Sequence, residues 1–204
     1  DNYAGYGAGI FFSKNANANR FNSDFINNTA KSCGGAMFFY STTDKNNFTG
    51  RYINNSALGQ IDPTNGNGGA ITFKNVSANS IFTCDFINNS ASLNGGAVNY
   101  RETPKNIIFN ANFINNTAKY GGAICGDGPE NSVISQCTFI NNSALKDGGA
   151  FYIGDTGGKG KNITLTDCKF INNTAGYAGG ALSNQMSASH FINSTFVGNK
   201  AKFG

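Results

Sequence analysis

The sequence is poor in the residues that build metal sites, membrane spans and helices. Its 204 residues include 3 prolines, one histidine and no tryptophan, and only 13% are charged. The single histidine, His190, lies outside the repeated letters and is expected to face solvent or to lie in a turn; with no CxxC pairs, we expect neither a metal nor a cofactor. No apolar run approaches the ~20 residues that cross a bilayer, so no membrane span is expected in this segment. Leu, Glu, Lys and Ala do not recur at helical spacing, which argues against any long helix.

The charge of the chain is mild and lacks the pattern typical of nucleic-acid binding. Lys and Arg number 15 against 11 Asp and Glu, a net charge of +4, and no basic cluster is interleaved with aromatic residues. We therefore expect no nucleic-acid partner. The chain begins at Asp1 within a repeating pattern and without a signal peptide. We expect residues 1–204 to form a single repeat domain that is an excerpt of a longer protein.

Two short phrases recur along the whole chain. The first, FINN-T/S-A, opens with an aromatic anchor, and the second, GGA, precedes an apolar residue. The anchors are Phe25, Tyr52, Phe86, Phe113, Phe139, Phe170 and Phe196. Their intervals of 27, 34, 27, 26, 31 and 26 residues indicate a base period of 26–27. Insertions near Gly59–Gly66 and Asp155–Lys161 account for the two longer intervals, and the repeat predicts a solenoid of about seven coils.

Around each anchor, apolar residues alternate with polar ones, as in a strand with one buried face. In IFTCDFI, for example, Phe82, Cys84 and Phe86 alternate with Thr83 and Asp85. We expect the anchors to form a buried column. A second inward column is expected four residues earlier, at Phe21, Phe48, Phe82, Phe109, Ser135, Thr166 and Ile192. A third, two residues before the anchor, contains Ser23, Gly50, Cys84, Ala111, Cys137, Cys168 and Ser194.

The remaining fixed letters predict tight corners. An alanine follows every anchor by five residues, which predicts a methyl-sized slot at each turn. Asparagine tolerates the left-handed backbone region, and its amide can donate to one layer while accepting from the next. We expect such a corner ladder at Asn28, Asn55, Asn89, Asn116, Asn142 and Asn173. The GGA phrase predicts a second short strand, whose paired glycines allow close backbone packing or a bend.

Coils built alike must stack as parallel strands, so the sequence predicts an all-β fold, a right-handed parallel β-helix. Its repeats resemble the FxxN and GGA(I/L/V) repeats of the chlamydial polymorphic membrane proteins, and more closely the Asn-rich adhesin-like proteins of methanogenic archaea. The likeness covers nearly the whole chain, with local departures at Tyr52, at FVGN, which begins at the last anchor, and at GAGI near the start. The resemblance implies a pectin-lyase-like solenoid that is displayed outside the cell, at its surface, and used in attachment.

A pectin-lyase-like solenoid raises the alternative of a polysaccharide lyase or hydrolase. Such enzymes need clustered carboxylates, to bind calcium or to act as an acid–base pair. Asp24, Arg51 and Asp85 share one outward column, which we interpret as a surface charge ladder. Asp127 and Asp147 lie near GGA phrases without an acidic partner at the equivalent positions. We therefore expect no catalytic residues and no enzymatic activity.

The five cysteines are interpreted mainly as core residues. Cys84, Cys137 and Cys168 fall in the third inward column, where small buried thiols pack well. A Cys137–Cys168 disulfide stays open for an extracellular protein, although stacked parallel positions give an awkward bridge geometry. Cys33 and Cys125 lie close to GGA strands and are expected to be free.

Asn-x-Ser/Thr sequons occur at ten positions. Six of them begin at the first Asn of a FINN corner, where we expect an internal Asn ladder to explain the pattern. Asn47, Asn75 and Asn162 lie outside the corners and are better candidates for glycosylation.

The preferred hypothesis for function is an extracellular adhesin-like protein, a non-catalytic rod that mediates attachment or displays binding loops. The candidate loops are the two insertions, represented by Asp62, Asn65, Asp155 and Lys159, because loops on a rigid scaffold tolerate variation. The expected partner is a surface glycan or protein of another cell, or further copies of the chain. One alternative is a fibre subunit that stacks through open end strands; the other is the polysaccharide lyase or hydrolase.

Overall fold

The chain winds into a parallel β-solenoid of about seven turns, as predicted. The computed structural model describes residues 1–62, 65–102, 104–154, 162–185 and 188–204. All the regular elements in these ranges are strands, and neighbouring strands pair in parallel with the equivalent strand of the next coil. Each coil therefore adds one layer to every sheet.

Two sheets receive one strand from every coil. The first, which we call the alanine sheet, consists of Tyr3–Ala4, Thr29–Ala30, Ser56–Ala57, Ser90–Ala91, Thr117–Ala118, Ser143–Ala144 and Thr174–Ala175. The second, the GGA sheet, consists of Ile10–Phe12, Met37–Phe39, Ile71–Phe73, Val98–Tyr100, Ile124–Asp127, Phe151–Gly154 and Leu182–Asn184.

The third face of the solenoid is the anchor sheet, in which most coils contribute two strand segments. Its strands are Arg20–Asn22, Phe25–Ile26, Asn47–Ile53, Ile81–Ile87, Ile108–Phe109, Asn112–Ile114, Ser132–Ser135, Thr138–Ile140, Ile163–Thr166, Lys169–Ile171, Ser189–Ile192 and Thr195–Val197. A short sheet of Ala16–Asn17, Thr43–Asp44 and Ser77–Ala78 lies between the GGA and anchor sheets along the chain of the first three coils.

The aromatic anchors stack in register along the solenoid axis. Phe86 pairs with Phe113, and their ring centroids lie 5.0 Å apart. The fully buried anchors are Tyr52, Phe86, Phe113, Phe139 and Phe170. The two outermost anchors differ: Phe25 is half-buried, and Phe196 is 46% exposed. The expectation of a buried Phe196 is therefore wrong, because its ring stacks on Phe170 on one face only.

The second inward column departs from the expected register in the last three coils. The residues that continue Phe21, Phe48, Phe82 and Phe109 are Ile134, Leu165 and Phe191. The predicted Ser135, Thr166 and Ile192 lie one residue off this column, and Ile192 is 53% exposed. The physical reason is one extra residue per coil before the anchor strand. That residue adopts a left-handed backbone conformation at Gln136 (φ 54°), Asp167 (φ 53°) and Asn193 (φ 47°).

A further ring column fills the core beneath the GGA sheet. Its rings belong to Phe12, Phe39, Phe73 and Tyr100, with successive centroids 4.7–4.8 Å apart. Gly126 takes the next place in register and ends the column. A small apolar cavity of about 20 Å³ lies beside Tyr100 and Gly126, and the Tyr100 hydroxyl is buried without a hydrogen-bond partner among the described residues.

The paired glycines of the GGA phrase are required by the stacking of the coils. The first glycine of each pair is left-handed, as at Gly95 (φ +63°). A Cβ on the second glycine, Gly96, would lie 2.0 Å from the carbonyl oxygen of Gly122 in the next coil. Only glycine allows the backbones of successive coils to approach this closely.

Candidate functional site

Described residues of the first insertion contact the solenoid. Its Asn65 donates from Nδ2 to Asp62 Oδ2 (2.7 Å) and accepts at Oδ1 a hydrogen bond from a guanidinium N–H of Arg101 (2.7 Å). Next to it, Thr72 is fully buried although it is the middle, outward-pointing residue of its GGA strand, and its hydroxyl donates to the carbonyl of Asn67. The backbone next to the insertion therefore covers part of the outer face of the GGA sheet.

Aromatic side chains occupy the uncovered part of the same outer face. This aromatic patch consists of Tyr6, Phe11, Phe38 and Tyr40. Phe38 is 3% exposed and stacks against Phe11 (centroids 5.6 Å apart) and against Tyr6 (5.2 Å). Tyr6, Phe11 and Tyr40 are 37%, 48% and 45% exposed. These outward rings expose apolar surface to solvent and do not belong to the buried core.

Two basic residues border the aromatic patch. Lys74 and Arg101 each directly follow a residue that is in register with Phe39. They therefore lie in the same column as Tyr40, in the third and fourth coils. The Lys74 ammonium lies 3.9 Å from the centre of the Tyr40 ring, a cation–π contact. In the described part of the chain, neither Lys74 nor Arg101 forms an ion pair with an acidic residue. The patch, Asn65 and the two cations line a surface pocket of about 160 Å³.

The sequence predicted only part of this pocket. Asn65 was a candidate binding residue and lines it, and Asp62 holds Asn65 in place. The other candidate loop residues, Asp155 and Lys159, lie outside the described residues. The aromatic patch was missed, although a signal exists: the outward, middle position of a GGA strand is Phe in both of the first two coils, at 11 and 38, whereas in the later coils it is Thr72, Asn99, Cys125, Tyr152 and Ser183.

The corner asparagines form a continuous buried ladder. Each side-chain Nδ2 donates to the Oδ1 of the next coil, with distances of 2.8–3.0 Å from Asn28 through Asn55, Asn89, Asn116 and Asn142 to Asn173. The ladder extends at its two ends to Asn2 and Asn199, which the sequence analysis did not include. The same Nδ2 groups also donate to the anchor carbonyl of the preceding coil, as Asn116 does to Phe86.

The corner sequons lie outside this ladder, which corrects the expectation of an internal role. Their acceptor residues are Asn27, Asn54, Asn88, Asn115, Asn141 and Asn172, all exposed and left-handed with φ of 54–57°. The internal residue is the second Asn of each pair.

The other glycosylation candidates differ in accessibility. Asn47 and Asn75 are half-buried, and the Oδ1 of Asn47 is buried without a hydrogen-bond partner among the described residues. Asn162 is exposed, with its Nδ2 3.3 Å from Asn131 Oδ1.

The carboxylates take part in surface interactions. Arg51 donates from Nε to Asp24 Oδ2 (3.1 Å), and this hydrogen bond holds the pKa of the Asp24 carboxyl below its usual value. Asp85 is next in the column and accepts from Asn112 Nδ2 (2.9 Å). This arrangement matches the interpretation as a charge ladder. Asp127 is different, because partial burial raises the pKa of its carboxyl.

The cysteines are all buried and free, so no disulfide joins Cys137 to Cys168. The Sγ of Cys137 accepts from the backbone N–H of Ala111 (3.3 Å). Burial raises the pKa of the thiols of Cys84, Cys125 and Cys137.

The comparison with protein families agrees with this geometry. Residues 3–200 match the family described as right-handed β-helix region. The chain belongs to this right-handed β-helix family. No curated protein and no solved structure matches it significantly. In this right-handed β-helix, the aromatic patch and its cations come from the first four coils.

Two further features concern the described residues of the β-helix. They form no helix that is long and apolar enough to cross a membrane. They also contain no cluster of three or more His, Cys, Asp or Glu side chains placed to hold a metal ion.

Proposed function

We propose that this protein is an extracellular, cell-surface adhesin-like protein, a non-catalytic β-helical rod that attaches to a surface glycan or protein of another cell. The proposal is carried by the outward pocket formed by the aromatic patch, Asn65, Lys74 and Arg101. Exposed aromatic rings and arginine are enriched where proteins bind partners. The buried ladder and ring columns hold this pocket on a rigid scaffold.

An attachment assay tests the proposal. Beads coated with the 204-residue chain should adhere to a subset of a panel of cells and immobilised glycans. A variant lacking Gly59–Gly66 should lose adhesion while it keeps the fold, because removing these 8 residues shortens the 34-residue interval to 26, the base period. Adhesion to no cell or glycan would contradict the proposal, as would turnover of a uronic-acid polymer by the same protein, which favours the lyase alternative.

A further inference from the structure

We propose that the pocket lined by Tyr6, Phe11, Tyr40, Lys74 and Arg101 binds one anionic pyranose residue of a glycan, with the charge supplied by a carboxylate or a sulfate. This inference rests on the proposed attachment function and names the chemical class of its partner.

The aromatic patch supplies a platform for a sugar ring. A pyranose presents a face of C–H bonds, which packs favourably on the electron-rich face of an aromatic ring. Phe11 and Tyr6 are both partly exposed, and both stack on the buried ring of Phe38, which fixes their orientation. A platform fixed in this way loses little side-chain entropy on binding.

The two cations supply the preference for an anion. Lys74 and Arg101 occupy matching positions in adjacent coils, so two like charges lie one layer apart. None of the described residues that line the pocket carries a carboxylate; the nearest in the same column is Asp127, which follows Arg101 in the next coil and interacts with it electrostatically. A bound anion would relieve the repulsion between the cations and accept charge-assisted hydrogen bonds from both.

Asn65 holds one of the cations in place. Its Oδ1 accepts from Arg101 over 2.7 Å, while its Nδ2 is engaged by Asp62. The guanidinium of Arg101 is therefore oriented by the first insertion and keeps further N–H donors for a ligand. This gives the insertion a positioning role in the pocket.

The size and the walls of the pocket favour a sugar over a peptide. Its volume of about 160 Å³ lies below the ~300–1,000 Å³ of pockets for drug-sized ligands, which suits one ring of a longer chain. A peptide that adds a strand needs free backbone groups at a sheet edge. In the GGA sheet, Phe38 is flanked by paired strands on both sides, so the pocket offers side chains alone.

Calorimetric titration of the 204-residue chain tests the inference with four probes. These are a trigalacturonate, a sulfated trisaccharide, a neutral maltotriose and inorganic sulfate. We expect one or both anionic trisaccharides to bind at least about tenfold more tightly than the neutral one, the effect of one charge-assisted hydrogen bond. The two anionic probes distinguish a carboxylate from a sulfate as the source of charge. Inorganic sulfate should bind more weakly than either, because it cannot use the rings.

Matched variants separate the pocket from general charge effects. Lys74→Gln combined with Arg101→Gln should remove the preference for anionic probes, and Phe11→Ala should weaken all trisaccharides. The controls are Lys169→Gln and Tyr177→Ala, exposed residues away from the pocket, which should leave every affinity unchanged. Tyr40→Phe keeps the ring and should keep binding. Melting curves verify that each variant is folded.

The outcomes are distinguishable from those of the attachment assay. Equal affinity for neutral and anionic probes, no binding of any trisaccharide, or the same loss in the control variants would overturn the inference. If cell attachment persists in that case, the proposed function stands and only the ligand class is wrong. If the unaltered chain shows neither cell attachment nor oligosaccharide binding, the proposed function and the inference are both overturned.

Discussion

The side-chain amide of Asn89 donates from Nδ2 to Oδ1 of Asn116 across 3.0 Å, and the backbone N–H of Asn89 donates to the same oxygen. The second proton of Asn89 Nδ2 is donated to the carbonyl of Tyr52 over 2.8 Å. Every polar atom of this buried amide therefore has a partner in a neighbouring coil. A polar ladder that is fully satisfied links the coils without the cost of an unpaired buried group.

The ladder predicts that substitutions of two neighbouring asparagines differ strongly in their effect on stability. Asn116→Ala should lower the free energy of unfolding by about 2–4 kcal/mol, because it leaves the buried N–H of Asn89 without a partner and removes one of the two hydrogen bonds of Asn89 Nδ2, at ~1–3 kcal/mol for an unsatisfied group. Urea denaturation measures the change. Asn115→Gly is the control, because Asn115 is exposed with φ 56° and Gly198 stands at the matching place in the last coil. Equal losses in the two variants would contradict the ladder.

The anchor column predicts an effect that depends on position. Phe113→Ala should cost about 3–5 kcal/mol, the range for a buried aromatic ring, because Phe113 is stacked on both faces. Phe196→Ala should cost less than half as much, since this ring is 46% exposed. Thermal and urea melts compare the two. A melt unchanged by Phe113→Ala would refute the inward assignment.

The structure predicts that substitution by alanine changes the free energy of unfolding in opposite directions at two glycines. Gly96→Ala should destabilise the fold by at least ~3 kcal/mol or prevent folding, as severe backbone clashes do, because its Cβ would lie 2.0 Å from a carbonyl oxygen. Gly126→Ala should stabilise by ~0.5–1 kcal/mol, since its nearest contact would be the Tyr100 ring at 3.9 Å. Denaturation midpoints of both variants check the prediction. Destabilisation by Gly126→Ala would show that the cavity beside Tyr100 cannot accept a methyl group.

The buried thiols predict a loss of stability in mild alkali. Burial raises the pKa of Cys84 and Cys125 in the folded state, whereas cysteine in an unfolded chain ionises near pH ~8.5. Above that pH the unfolded chain binds fewer protons than the folded one, so the free energy of unfolding falls as pH rises. Urea melts at pH 7.5 and ~9.5 measure the decline. The double variant Cys84→Ala, Cys125→Ala should show a shallower slope, and an identical slope would exclude these thiols as the cause.

Much of the fold could be predicted because the repeat is written in residues that have one physical role. A phenylalanine at the anchor position is buried wherever coils lie on both sides of it, a GGA phrase must lie where backbones touch, and an Asn pair must turn a corner. These requirements recur every 26–27 residues, so the stacking of coils follows from the sequence. Glycosylation, the attachment function and the extracellular location remain predictions.

The sequence by itself determined the period, the inward anchors and the Asn ladder, because each depends on contacts between equivalent positions of successive coils. The extra residue at Gln136 was found only in the tertiary structure, because the repeat has no constant residue type at this polar, left-handed position. The tertiary structure also decided the pocket, in which Tyr6 and Arg101 are far apart in the chain and belong to no repeated phrase. Contacts between non-equivalent positions of different coils produce no periodic pattern in the sequence, so they could be identified only from the structure.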